Sequence, residues 1–325
     1  MVVLLHKRIK YIQRIEKMNE SILITGANAG LGKETARQLA LKKETKKVIL
    51  FCRNQMKAEA AKKDLEEKTG KKIFEIVIGD VSDANSVRNA VEKIREPIDA
   101  VVLNAGGMVG KTAAQATPSG MNQLAAANIL GHVVLVEELI KRDKLRKAVL
   151  FVSAEAVPGV KSLGMKPVAM RASSVDEFAG VLDGSYFGNK FDVTQAYGYV
   201  KYAGTMWALS MARKYPDIKF VVMSPGNTKG TGAPDNLPLA MRFMLKYIMM
   251  PVVFPLLGDM VHGIEAGVKR LVDGISEDRY KSGVFYASKE GKLSGEVVDQ
   301  STFYTDLKNT AFQDNAYEAI HRFIK

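Results

Sequence analysis

The stretch Thr25-Gly26-Ala27-Asn28-Ala29-Gly30-Leu31-Gly32 says most about what kind of chain this is. The aliphatic run Ile22–Thr25 precedes it and the helix-forming run Leu31–Lys42 follows, so its glycines fall in a strand-to-helix turn. Glycine permits a tight backbone there, and the helix N-terminus behind it offers unpaired N–H groups and a positive dipole to a phosphate. A spaced glycine triplet is a weak signal alone. Its weight comes from standing after the first strand of an alternating chain.

Outward from this turn the alternation continues. Lys47–Cys52, Ile73–Ile78, Ala100–Leu103, Ala148–Val152, Lys219–Met223 and Gly283–Ala287 read as further strands, with Gln55–Lys68, Ala84–Arg95 and Met121–Lys141 as helices. The near-continuous Val48-Ile49-Leu50-Phe51 suits a strand covered on both faces. The expectation is a Rossmann-like α/β fold: a doubly wound parallel sheet of about seven strands, a single domain over 18–325, with a dinucleotide as the ligand class. Two stretches stand outside the alternation, 155–196 and 227–258; long segments at strand carboxyl ends in such folds build substrate sites.

With 325 residues, 47% hydrophobic and 25% charged, the chain has the makeup of a soluble globular protein. Its single cysteine, Cys52, has no partner for an intramolecular disulfide, and no secretory signal opens the sequence, so a cytoplasmic setting is expected. A net charge of +12 would suit an anionic cofactor, a membrane or nucleic acid, but no zinc finger or aromatic RNP motif is present and nucleic acid is not an expected partner. The four histidines have no metal-ligand spacing, and no metal is expected. Residues 1–17 form a basic amphipathic extension, either a membrane-surface segment or an uninvolved one ahead of an alternative start at Met18.

The second strand ends in Phe51-Cys52-Arg53-Asn54, where a carboxylate would hold the ribose hydroxyls of NAD. Arg53, with Lys33 just beyond the glycine turn and Lys57 further on, instead suits the 2′-phosphate of NADP, so NADP(H) is the expected cofactor. Further along, Tyr197 and Lys201 share a helix face at i, i+4. Tyr215 and Lys219 repeat that spacing, but across the helix-breaking Pro216. A tyrosine of pKa about 10 needs a lowering of about three units, or about 4 kcal/mol, to exchange protons near neutrality; one ammonium about 4 Å away supplies about that much at an effective dielectric near 20.

Together with Gly79-Asp80-Val81, Asn104-Ala105-Gly106, Asn128 with Gly131, Val152-Ser153 and Ser224-Pro225-Gly226, these pieces make the chain resemble the short-chain dehydrogenase/reductase family from about Met18 almost to its end. The style is similar to the branch of retinol dehydrogenases and protochlorophyllide-reductase-like proteins. The resemblance implies a cofactor cradle at Gly26, Asn28, Gly30, Leu31 and Gly32, adenine contacts from Asp80 and Val81, and a cofactor wall from Asn104, Ala105 and Gly106. It implies Tyr197 as acid/base, Lys201 on the nicotinamide ribose, Asn128 in a water-mediated proton relay, and Pro225 and Gly226 beside the nicotinamide, with Thr228 or Thr231 near its amide. The family's carbonyl-polarising serine is commonly the second of a Ser-Ser pair. Here the pair reads Ser153-Ala154, so Ser153 takes the role, another donor replaces it, or the chemistry is weakened.

The implied activity is hydride transfer between NADP(H) and a small-molecule carbonyl compound or its alcohol, with room for a homo-oligomer. An NADP-binding scaffold or redox sensor that has lost turnover is the alternative that Ala154 leaves open. The methionine-rich Leu237–Leu257 is broken by Arg242, Lys246, Pro251 and Pro255, which argues against a membrane span. It reads as the lining of a lipophilic substrate pocket, a membrane-surface contact, or a core helix or dimer contact.

Overall fold

The computed structural model describes residues 19–160, 165–229, 243, 244, 247 and 260–324. Its strands are β1 (Ser21–Thr25), β2 (Lys47–Cys52), β3 (Phe74–Ile78), β4 (Ile98–Leu103), β5 (Leu145–Val152), β6 (Lys219–Met223), β7 (Val284–Ser288) and β8 (Val297–Asp299). They form one sheet in the order β3-β2-β1-β4-β5-β6-β7-β8. The first seven pair in parallel, and β8 adds antiparallel to β7. This eighth strand departs from the expected seven: Val297-Val298-Asp299 is too short to show as an apolar run, as protected edge strands often are. β4 and β5 also begin earlier than expected, at Ile98 and Leu145, because Asp99, Arg146 and Lys147 interrupt the apolar pattern while the two strands stay paired through a register shift between Ile98 and Ala100.

Strand residues alternate between two cores. Ile22, Ile24, Val48, Leu50, Val102 and Leu150 face α1 (Gly30–Leu41), α2 (Gln55–Thr69) and α7 (Ile264–Ser276). Leu23, Ile49, Phe51, Val101, Leu103 and Phe151 face α3 (Ala84–Lys93), α4 (Gln123–Lys141) and α6 (Val193–Lys214). Burial on both faces is what the continuous apolar runs anticipated. α4 is apolar and long enough to cross a membrane by composition, yet 78% of its apolar window is buried inside the protein, as in a core helix.

The stretch 155–196 supplies α5 (Val175–Asp183) and the start of α6. The Ser174 side chain caps α5 at its N-terminus and Gly184, left-handed at φ 96°, ends it. α5 and the C-terminal α8 (Thr310–His321) pack against α6. Residues 1–17, Met18 and Thr231 lie outside the described residues, as does Leu237–Leu257 apart from the exposed Phe243, Met244 and Tyr247. Strand order reverses between β1 and β4, and the carboxyl ends of strands beside such a switch are where doubly wound sheets take their ligands.

Candidate active site

At this switch the two turns are bonded to each other. The Thr25 hydroxyl oxygen accepts the N–H groups of Asn104 and Ala105 at 2.8 and 2.9 Å, and Asn104 Nδ2 donates to the Thr25 carbonyl at 3.0 Å. Gly26 has φ 68°, and a Cβ on it would stand 3.1 Å from the Cα of Ala105; one on Gly32 would stand 2.4 Å from the Gly26 carbonyl oxygen. Ala29 gives α1 no side-chain cap, which leaves the first-turn amides around Gly30 and Leu31 for a ligand. These residues therefore fit a pyrophosphate.

A cleft of about 350 Å³ opens beside the turns, with Gly26, Asn28, Arg53, Lys57, Asp80, Val81, Ala105 and Gly106 in its walls. Arg53 is 75% exposed, its Nη1 3.5 Å from Asp80 Oδ2. Of the two lysines weighed from sequence, Lys57 reaches this cleft, whereas Lys33 pairs with Asp64 of α2 at 2.8 Å.

Asn128 sits where α4 widens into a π turn over Ala126–Leu130. The Gly131 N–H donates to the Val81 carbonyl at 2.8 Å, drawing one amide out of the α-helical ladder, and a Cβ on Gly131 would stand 2.3 Å from that oxygen. Such π turns gather at functional sites. Asn128 Oδ1 accepts the Gly107 N–H at 3.0 Å, and its Nδ2 donates to the carbonyls of Gly107 and Leu124 at 2.9 and 2.8 Å. Gly106, at φ 134°, leaves the room: a Cβ there would lie 2.3 Å from Asn128 Oδ1.

α6 carries Tyr197 and Lys201 one turn apart. Lys201 Nζ donates to the Val152 carbonyl at 2.9 Å and lies 5.7 Å from the Tyr197 ring centre. Burial pushes the Tyr197 phenol up to about 12 and the Lys201 ammonium down to about 7. This reverses the direction expected for the tyrosine: the ammonium bonds a backbone carbonyl, and loss of water dominates for both groups. Ser153 Oγ, buried, pairs with Thr205 Oγ1 at 2.8 Å, one turn beyond Lys201.

The family model for short chain dehydrogenases matches residues 20–161. A chloroplastic protochlorophyllide reductase of Daucus carota is 31% identical over 306 residues, covering 86% of this chain and 74% of that protein. This chain belongs to the short-chain dehydrogenase/reductase family. The human dehydrogenase/reductase SDR family member 12 is 27% identical over 66% of this chain and 63% of its own length. Among solved structures, the L-sorbose reductase from Gluconobacter frateurii complexed with NADPH and L-sorbose superposes with a TM-score of 0.60 at 18% identity, over 85% of this chain and 97% of that one. The NADPH-bound carbonyl reductase from chicken fatty liver gives 0.54 at 19% identity, over 87% and 98%. Both likenesses concern the fold.

This short-chain dehydrogenase/reductase also holds a network that the sequence reading missed. Glu155 Oε1, just past β5, accepts from Ser288 N at 3.1 Å, Ser288 Oγ at 2.8 Å and Arg270 Nη1 at 3.4 Å. Arg270 Nη2 donates to the Gly295 carbonyl at 3.0 Å, and its Nη1 would stand 2.8 Å from a Cβ on Gly226, in the Ser224-Pro225-Gly226 turn. Thr228 Oγ1 donates back into that turn, 3.2 Å from the Pro225 carbonyl and 3.1 Å from that of Gly226. Burial pushes Glu155 up and Arg270 down despite their contact, so desolvation outweighs the attraction. The one sequence signal was an arginine between Val268 and Leu271-Val272 on the buried stripe of α7.

Proposed function

We propose that this oxidoreductase uses NADP(H) to interconvert a carbonyl compound and its alcohol, with Tyr197 as acid/base and Lys201 as its electrostatic partner. Three observations support the reading: Tyr197 beside the buried Lys201, whose ammonium is bonded at the end of β5; the π-turn Asn128, bonded to Gly107 beyond β4; and a cleft edged by Arg53 and Lys57. The cofactor, when bound, would supply the hydride. Gly26, Asn28, Gly30, Leu31 and Gly32 would hold its pyrophosphate, Asp80, Val81 and Asn104–Gly106 its adenine and ribose side, and Pro225, Gly226 and Thr228 its far end. Arg53 and Lys57 would hold the 2′-phosphate.

Tyr197, raised to about 12, holds its proton at neutral pH and gives it to the carbonyl oxygen as that oxygen gains charge. Lys201, near 7, supplies positive charge to the forming phenolate, and Asn128 and its waters return a proton. Ser153 polarises the carbonyl in this reading, with Thr205 donating to it.

NADPH consumption over a broad panel of aldehydes and ketones, with product identification, tests the reading. Turnover that is faster with NADPH than with NADH supports it. No turnover with any carbonyl favours the scaffold or redox sensor, which Ala154 and the Ser153–Thr205 pairing motivate. The apolar Leu237–Leu257 and the exposed Phe243, Met244 and Tyr247 motivate a bulky lipophilic substrate. Catalytic efficiency should then climb along an aldehyde series by up to about 0.8 kcal/mol per methylene, and a flat series would refute that part.

A further inference from the structure

His132 is fully buried between the cofactor turn and the reacting groups, and the reading above gives it no task. Its Nδ1 lies 3.1 Å from the carbonyl oxygen of Asn128, and its Nε2 lies 3.0 Å from Thr25 Oγ1. A carbonyl only accepts, so the ring proton sits on Nδ1 and Nε2 presents a lone pair. The Thr25 hydroxyl then donates to Nε2, its weaker option being the Val102 carbonyl at 3.5 Å. That orientation leaves both oxygen lone pairs of Thr25 for the amides of Asn104 and Ala105. The chain of bonds runs unbroken from Asn128 through His132 and Thr25 to the turn that follows β4.

We propose that His132 is a positioning residue: a neutral imidazole, protonated on Nδ1, that locks the Asn128 carbonyl to the Thr25 hydroxyl and so holds the π turn and the cofactor wall in one register. The role assigned to Asn128 rests on the proposed function; the role toward Thr25 does not. An imidazolium cannot serve, because its Nε2 would lose the lone pair that Thr25 requires. Enclosure keeps the ring uncharged, holding it down to about 3, and the positive charge of Lys201 adds to the effect.

Two substitutions separate the two arms. His132→Asn carries an amide N–H near the Nδ1 position and stops short of Thr25. The NADPH dissociation constant, followed by cofactor fluorescence, should rise about tenfold, as expected for one buried partner left unsatisfied, while kcat at saturating NADPH stays within about twofold. His132→Gln carries a carbonyl oxygen out to the Nε2 position and loses the bond to Asn128; kcat should fall about tenfold with NADPH affinity unchanged. Equal losses in both variants, or no loss in either, would overturn the proposal. NADPH binding needs no turnover, so the Thr25 arm is tested even where Tyr197 chemistry fails. On the wild-type protein, the imidazole nitrogen shifts at pH 7, assigned by their absence in His132→Gln, should report the neutral Nδ1–H form; an Nε2–H form or a charged ring would sink the idea without any variant.

Discussion

Around Gly26, Gly32 and Gly106 the site is shaped by side chains that are missing, whereas around Lys201, Ser153 and Glu155 it is shaped by polar side chains that are 3, 2 and 7% exposed. At the first of these, backbone amides and a surface guanidinium stand in contact with water. At the other, burial is the largest influence that moves Tyr197, Lys201, Glu155 and Arg270 away from their ordinary values. One end depends on space, the other on desolvation.

Cutting the buried network should cost the most. Arg270→Met leaves Glu155 enclosed without its cation and should lower unfolding free energy by about 3–5 kcal/mol in urea titrations, with much of the loss recovered in the Arg270→Met/Glu155→Leu pair. If Arg270→Met is neutral, the contrast between the two ends collapses.

Next in size is Tyr197→Phe, which deletes only the ionisable oxygen. Turnover should drop at least about a hundredfold with NADPH affinity unchanged, as steady-state kinetics and a binding titration would show. Undiminished turnover would exclude Tyr197 as the proton donor.

The desolvation of Lys201 also makes stability depend on pH. Its folded value of about 7 lies below the unfolded value of about 10.4, so between these the folded chain binds fewer protons and stability rises with pH. The rise should be clearest from pH about 7 to about 8.5, at no more than about 1.4 kcal/mol per unit. Beyond that, Cys52 and Tyr197, raised to about 11 and about 12, act in the opposite sense because their unfolded forms ionise first. Denaturation across this window should show the rise in wild type and its loss in Lys201→Met; an identical slope in both would place the lysine in water.

The smallest effect belongs to the exposed end. NADPH should bind about tenfold more tightly than NADH, and Arg53→Glu should erase that preference while leaving NADH affinity nearly unchanged. A preference that survives the reversal would shift the selection to Lys57.

Much of this molecule was legible before folding because its signals are local. The glycine turn, the alternation that gave seven of eight strands, and the Tyr197–Lys201 spacing each occupy a few consecutive residues. What escaped were pairings across long separations. Glu155 meets Arg270 and Ser288 over more than a hundred positions, His132 meets Thr25 over a similar gap, and β8 is recognisable only by lying beside β7. Lys33, the first alternative to Arg53 on sequence, is paired with Asp64 in the fold, and Lys57 is the lysine at the cleft.

Residue order was enough for the class of sheet, the turns that must be glycine and the placing of Tyr197 and Lys201 one helical turn apart, since backbone sterics and the periods of strand and helix act over a few neighbours. The shifts of Tyr197 and Lys201 and the pairing of the Ser153 hydroxyl with Thr205 came only with the packed fold. So did the bond path from Asn128 to Thr25. Each depends on how much water is excluded and on which distant partner stands within hydrogen-bonding reach, and both are properties of the assembled interior.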